Sequence, residues 1–442
     1  MRRHILIVLA LIVIVAAGFW FWISRPDTAR VPVAAVMGAR PDIGAPRDQW
    51  VPTVKVADAV GWKDGQTPAA APGLAVNAFA TGLDHPRWLY RLPNGDVLVA
   101  ETNSPPRTGG GIAAVVMRRL MDKAGAGVPS ANRITLLRDA DHDGVAEARS
   151  VFLAGLNSPF GMTLVGDSLY VADTDALLRF PYKSGQAVIT AKPEKIIDLP
   201  GGGNHWARNV VAAPDGTRLY VTVGSSSNIA ENGLDAEQNR ANILEVDPEA
   251  KTYRIYAAGM RNPNGVDFDP ATGQMWAVVN ERDMMGSDLP PDYLTTVALG
   301  DFFGWPWFYW GGYPDTRVEP QNPAMQEYSK RPDYALGPHT ASLGLAFARS
   351  PLLGDRFARG AFVSQHGSWN RKPKSGYKLI YIPFDDRGFP VKGAKPIDVL
   401  TGFLSKDEDE AYGRPVGVIE GDNGLLVADD VGNTIWRVSK AG

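Results

Sequence analysis

The stretch Gly413-Arg-Pro-Val-Gly-Val418, followed by Asp422-Asn-Gly-Leu-Leu-Val-Ala-Asp429, decides the fold, because the chain repeats its grammar six times. Polar residues lead into a short apolar strand, a Gly-centred turn reverses the chain, and a second apolar strand follows. That is the pattern of a β-hairpin. The other five units begin at Gly82-Leu-Asp-His-Pro-Arg-Trp-Leu-Tyr90, Gly155-Leu-Asn-Ser-Pro-Phe-Gly161, Asn204-His-Trp-Ala-Arg-Asn-Val-Val211, Arg261-Asn-Pro-Asn-Gly-Val-Asp-Phe268 and Ala341-Ser-Leu-Gly-Leu-Ala-Phe347. Their second strands end at Glu101, Asp173, Thr222, Asn280 and Gln365.

Two more strands fit in each gap between units. The expected fold is therefore all-β, a six-bladed propeller of four-stranded antiparallel blades. Radial repetition hides strand edges that would otherwise invite aggregation. The ring has to close, so the last strand, Thr434-Ile-Trp-Arg-Val438, is expected to share a blade with the first, Leu74-Ala-Val-Asn-Ala-Phe79. Three insertions interrupt the repeat, at 105–129, 288–337 and 404–412. Insertions in repeat folds map to loops on one face, often the binding face.

Outside the repeat, residues 5–23 form an apolar run preceded by Arg2 and Arg3 and ended by Phe19-Trp-Phe-Trp22. About 20 apolar residues cross a bilayer as a helix, and aromatic residues favour its interface. The expected division is an N-terminal membrane anchor at 1–24, a Pro/Ala/Gly-rich linker at 25–73 and the propeller at 74–442. It implies a membrane-anchored protein whose propeller faces the periplasm or the extracellular side. The 442 residues carry a net charge of −3 with Lys and Arg scattered, which argues against nucleic acid as a partner. There is no Cys, so disulfides, Cys-zinc sites and covalent c-type haem are excluded. No Gly-x-Ser-x-Gly elbow or His-Glu-x-x-His run is present, which argues against common serine hydrolases and zincins.

In a propeller the six approaches to the innermost strands converge on the mouth of the central channel. Here they bring Asp84, His85, Arg87, Asn157, Ser158, Asn204, His205, Arg208, Asn209, Arg261, Asn262, Asn264, His339 and Arg414. The second-strand ends add Glu101, Asp173, Ser225, Asp283, His366 and Asp429. Such a polar ring with several arginines suits a polar, anionic ligand.

His205 with Pro214-Asp-Gly216, Gly259-Met-Arg-Asn-Pro-Asn-Gly265, Asn280-Glu-Arg-Asp283 and Phe303-Gly-Trp-Pro306 resemble, in this order, the signature run of the pyrroloquinoline-quinone-dependent sugar dehydrogenases. Gln365-His-Gly-Ser-Trp-Asn-Arg371 and Gly413-Arg-Pro-Val416 resemble the sorbosone dehydrogenase branch. The resemblance implies pyrroloquinoline quinone and calcium as cofactors, and oxidation of a sugar, sugar alcohol or sugar aldehyde by hydride transfer to the quinone. It makes His205 the general base, a task suited to imidazole, and Arg261 the fixed cation beside the reacting carbonyl. Asn262 and Arg414 become cofactor contacts, with Asn157 on the same rim. The backbone carbonyls of Arg282 and Asp283 become the calcium ligands.

The chain departs from the family at Asn204, where an Asp precedes the base in glucose-type members, and at Val416, where a second arginine is expected. No lysine stands near His366 or Gly367, which leaves His366 or Arg371 as substitutes. Without Cys for a haem, electrons are expected to leave to a separate acceptor, a quinone or a cytochrome. A second ion site is suggested by Asp139-Ala-Asp-His-Asp-Gly144 with Glu147, because alternating Asp141 and Asp143 resemble half of a calcium loop. A tight hairpin turn would use the same residues. Two rival readings stay open: a calcium-dependent lactonase or esterase using Glu101, Asn157, Asn209 and Asp429, and a non-catalytic binding propeller.

Overall fold

A computed structural model describes residues 2–23, 26–47, 49, 53–106 and 112–442. The six repeats form six blades of four antiparallel strands. Blade 1 comprises Pro86–Arg91, Val97–Glu101, Arg133–Arg138 and Ala148–Ala154. Blade 2 comprises Met162–Val165, Ser168–Ala172, Ala176–Pro181 and Glu194–Asp198. Blade 3 comprises Val210–Ala212, Leu219–Val223, Asn242–Asp247 and Thr252–Ala258. Blade 4 comprises Asn262–Phe268, Met275–Asn280, Pro291–Thr296 and Tyr334–Pro338. Blade 5 comprises Ser342–Phe347, Gly360–Gln365, Lys378–Pro383 and Ile397–Thr401. Blade 6 takes Pro415–Glu420, Leu425–Asp429 and Thr434–Lys440, and its fourth strand is Leu74–Ala80 from the start of the repeat. Trp436 faces Ala78 and Val438 faces Val76 across that seam, so the ring closes as the sequence predicts.

The first strand of each blade is innermost, and two glycines show how closely these strands meet. A Cβ on Gly344 would lie 2.3 Å from the Val416 carbonyl oxygen, and one on Gly265 would lie 2.6 Å from that of Leu343. Only glycine permits this approach of backbone to backbone. Farther out, alternate side chains fill the space between blades. Trp88 of blade 1 packs on Phe160 of blade 2 with centroids 4.7 Å apart. Fully buried Trp276 of blade 4 meets Phe347 and Phe384 from the blade 5 side.

The N-terminal helix α1 (Arg2–Ile23) forms, but the membrane reading is corrected. Among the described residues no helix is long and apolar enough to cross a membrane. The side chains described run from Leu6 to Phe21 and are exposed. The absence of a membrane-crossing helix among the described residues overturns the transmembrane helix, the membrane as a partner and the membrane-anchored localisation.

The segment expected as a linker adds short strands to the propeller. Met37–Gly38 pairs with blade 4 at Leu336 and Ala335. Asp58–Ala59 pairs with Glu410–Ala411, and Ala69–Ala70 pairs with the outer strand of blade 5. Of the insertion at 105–129, residues 107–111 lie outside the described residues, and helix α2 (Ile112–Lys123) follows them.

Candidate active site

The acids that end the second strands latch the approach loops instead of lining an ion site. The Asn157 N–H donates to Asp173 Oδ2 at 2.8 Å, and the Arg414 N–H donates to Asp429 Oδ1 at 2.8 Å. Glu101 accepts the Asp84 N–H in the same way and is further held by Arg133 and Thr135. Asp429 also accepts the indoles of Trp62 and Trp436, at 2.7 and 3.0 Å. Burial pushes the Asp173 carboxyl up to about 6 and raises that of Asp429. Asn209 is buried and donates to the Asn264 carbonyl at 3.1 Å, while Asn157 stays exposed on the rim. The oxygens of Glu101 and Asp429, all turned to protein donors, are poor candidates for the ion of a hydrolase.

His205 enters from the approach to blade 3. Its Nδ1 lies 2.8 Å from the Ser225 carbonyl oxygen and 3.1 Å from Ser225 Oγ. That hydroxyl donates its own proton to the Ser227 carbonyl at 2.6 Å, so both Ser225 oxygens act as acceptors toward the imidazole. The arrangement selects the tautomer with the proton on Nδ1 and the lone pair on Nε2. Gly224 stands between His205 and Asn262. A Cβ there would lie 2.6 Å from His205 Cβ and 2.4 Å from Asn262 Oδ1. The structure thus brings His205, Asn262 and the adjoining Arg261 together.

Arg261 is buried, and three of its five N–H donors are engaged. It donates to the Asn228 carbonyl at 3.2 Å, to the Glu281 carbonyl at 2.7 Å and to Asp283 Oδ2 at 2.9 Å. The other oxygen of Asp283 accepts from Asn370 at 2.8 Å. Arg282, the other expected calcium-holding position, sends its side chain away into the insertion at 288–337. It donates to the carbonyls of Pro306 and Phe308, both at 2.6 Å, and pairs with Glu281 and Asp315.

On the opposite rim, Arg414 donates to the carbonyls of His366 and Gly367 at 3.0 and 2.9 Å. His366 Nε2 lies 2.8 Å from Asp430 Oδ2, and the same oxygen accepts from Arg87. His85 completes the group, with Nδ1 3.1 Å from the Asp430 carbonyl oxygen. Burial lowers His85 to about 4; burial and then Arg414 lower His366 to about 3. The Asp430 carboxyl is raised by burial, but the facing His366, His85 and Arg87 charges dominate and hold it well below the usual range. His85 Nε2, Arg87 Nε, Asp430 Oδ1 and Asn264 Oδ1 are buried without hydrogen-bond partners.

Arg371 does not join the rim. It is buried and donates to the carbonyls of Ser287 and Pro373 at 2.8 and 2.6 Å. Asp430 is the residue that sequence reading missed. Its neighbour Asp429 ends the strand, and successive side chains there point to opposite sides; the Asp429-Asp430 doublet was the available signal. Asn228, Arg317 and Asn370 were missed too, since they lie outside the repeat.

Asp139, Asp141, Asp143 and Glu147 sit far out on blade 1, between its third and fourth strands. Among the described residues they form the only acidic or histidine group compact enough for a metal ion, within 4.8 Å of one another. Each also closes the turn, as Asp139 Oδ2 does by accepting the Gly144 N–H at 2.9 Å.

Comparison with known proteins yields a family and a set of similar folds. The TrAA12-like family profile matches residues 68–291 and 313–441. An uncharacterised protein of Borreliella burgdorferi is 28% identical over 298 residues, covering 64% of this chain and 76% of that protein. A pyrroloquinoline quinone-dependent pyranose dehydrogenase of Coprinopsis cinerea is 26% identical over 53% of this chain. The chain spans only 40% of that enzyme's length. Among solved structures, an AA12-family carbohydrate-active enzyme of Trichoderma reesei superposes with a TM-score of 0.69 at 18% identity, over 85% of this chain and 98% of that one. The quinone domain of the Coprinopsis cinerea pyranose dehydrogenase, solved in its holo form, gives 0.67 at 20% identity, over 87% of this chain and all of that one. At these identities the likeness to solved structures is one of fold.

Proposed function

The chain belongs to the TrAA12-like family, and on that premise we propose that it is an oxidoreductase for a sugar-type substrate with pyrroloquinoline quinone as its cofactor. The observation that carries this reading is His205, held by Ser225 in the tautomer with a basic Nε2 and set beside Asn262 and Arg261. The residues present fit the quinone. Buried His85, Asn264 and Asp430 and half-buried Arg87 each keep an unpartnered polar atom, and such atoms call for a ligand with several donors and acceptors. Asn262, Arg261 and Arg414 would hold it, with Asn157 and His366 on the rim. Arg371 is buried and its guanidinium faces the Ser287 and Pro373 carbonyls. When bound, the quinone supplies an acceptor for the hydride leaving a sugar carbon.

His205 Nε2 takes the proton from the sugar hydroxyl, and its Nδ1 keeps its own proton on the Ser225 carbonyl throughout. Arg261 contributes a fixed positive charge whose direction is set by Asp283 and the Glu281 carbonyl. Preorganised donors of this kind are worth most in a site that excludes water. The substrate class is an aldose, an alditol or a sugar aldehyde of the sorbosone type, and the electrons pass on to a separate quinone or cytochrome. Calcium does not fit at the Asp283 carbonyl, which already accepts two protein donors, and no step is drawn through it.

The test is titration of the full chain with pyrroloquinoline quinone, followed by absorbance, and then dye reduction across aldoses, alditols and sugar aldehydes. Micromolar binding, with turnover that disappears in His205→Ala, supports the reading. No binding at micromolar quinone would sink it.

A further inference from the structure

The insertion at 288–337 sends one side chain back to the strand end that bears Asp283. Arg317 Nη1 lies 3.0 Å from the Asp283 carbonyl oxygen and 3.1 Å from that of Met284. The rest of its guanidinium is clamped by Asp315, with Nε 2.8 Å from Oδ1 and Nη2 2.7 Å from Oδ2. Asp315 is itself buried and paired with Arg282. The Asp283 carbonyl has a second donor, Asn228 Nδ2, at 3.2 Å. A carbonyl oxygen offers two lone pairs, so both are taken.

We propose that Arg317 is a resident cation at this backbone, standing where a calcium ion would otherwise bind, and that cofactor binding here needs no metal at Asp283. This rests on the quinone reading above. Calcium requires six to eight oxygens at about 2.3–2.6 Å. An ion on the Asp283 carbonyl would have to displace a guanidinium held in a two-point grip by a buried carboxylate. The replacement also explains the charge order around the site: Glu281, Arg282, Asp315 and Arg317 alternate in sign and link to Asp283 and Arg261. Arg317 is a positioning residue. It fixes the Asp283 backbone while the Asp283 carboxylate directs Arg261.

Terbium, a luminescent stand-in for calcium, tests the site directly. Trp305 donates to the Asn228 carbonyl at 3.0 Å and serves as the antenna. The full chain would carry Asp139→Asn, Asp141→Asn and Asp143→Asn, so that the outer turn reports nothing. With Arg317 in place, no calcium-competed sensitised emission is expected. Arg317→Met, or Arg317→Gln if Met impairs folding, should gain it. Competed emission with Arg317 intact, or none in either folded variant, overturns the proposal. In a second arm, quinone affinity should stay within about twofold when a chelator is added. A tenfold loss restored by calcium also overturns it. Failure of quinone to bind in either buffer removes the function reading alone, because the terbium arm still decides the role of Arg317.

Discussion

The carbonyl oxygen of Ser225 receives the Nδ1–H of His205 at 2.8 Å, and this one bond determines which imidazole nitrogen can act as a base. His205→Ala should lower kcat/KM for a sugar substrate by about 10²–10⁴-fold, the usual worth of a positioned general base. Quinone affinity should change far less. Ser225→Ala keeps the carbonyl and loses only the 3.1 Å hydroxyl contact, so its effect should be several-fold at most. Steady-state kinetics beside a quinone titration separate the two. Equal losses in both variants would contradict the tautomer argument.

Gly224 offers a steric test of the same geometry. Its added Cβ would meet Asn262 Oδ1 and His205 Cβ at distances that atoms do not tolerate. Gly224→Ala should therefore push the two side chains apart and lower kcat by tenfold or more, since small misplacements near reacting atoms are costly. The fold should survive, because the displaced groups lie at the channel mouth. A variant with normal kcat would show that His205 and Asn262 need not be neighbours.

Much of the fold could be read from sequence because each hairpin is local: a Gly-centred turn between two apolar strands specifies itself. Closure was legible from the unpaired strands at 74–79 and 434–438, and the family likeness of the runs around His205 and Arg261 agrees with the family match, whereas the Phe303 run falls between its two matched segments. What escaped were long-range polar contacts. Nothing periodic marks Asp27 as a partner of Ser287, or Arg317 as a partner of Asp283. Glu101, Asp173 and Asp429 read as channel ligands because position in a repeat tells which end of a strand a residue occupies. It does not tell whether the carboxylate turns inward or caps its own loop.

The histidine pair around Asp430 makes acid stability testable. His85 and His366 are lowered to about 4 and about 3 from 6.5. Between those values the unfolded chain binds the extra protons, so stability rises with pH. Their contribution is complete above pH 6.5 and is lost as pH falls through about 4 and about 3. Asp430, whose pKa is depressed, adds a loss below 3.8. Asp292 runs the other way. Burial lifts it to about 7, so its contribution declines as pH rises from 3.8 through 7. Melting curves from pH 7 to pH 4 should show His366→Gln falling less steeply than the parent chain. Parallel curves would remove His366 from the acid transition.

Asp27 ties the N-terminal segment to the backbone that follows Asp283. Its Oδ2 accepts the N–H of Ser287 at 2.6 Å, and its Oδ1 accepts from Arg47 at 2.6 Å. Ser287 is wholly buried, and its carbonyl in turn holds Arg371. Asp27→Ala would leave the Ser287 N–H without an acceptor, which costs about 1–3 kcal/mol. Asp27→Asn retains an acceptor oxygen and should recover most of that loss. Denaturant midpoints of the three proteins check the energy. Because Ser287 lies four residues beyond Asp283, the loosened loop in Asp27→Ala should also weaken quinone binding several-fold, with kcat at saturating quinone close to that of the parent. Equal stability of the Ala and Asn variants would mean that Asp27 acts through its charge on Arg47 instead of through the Ser287 N–H.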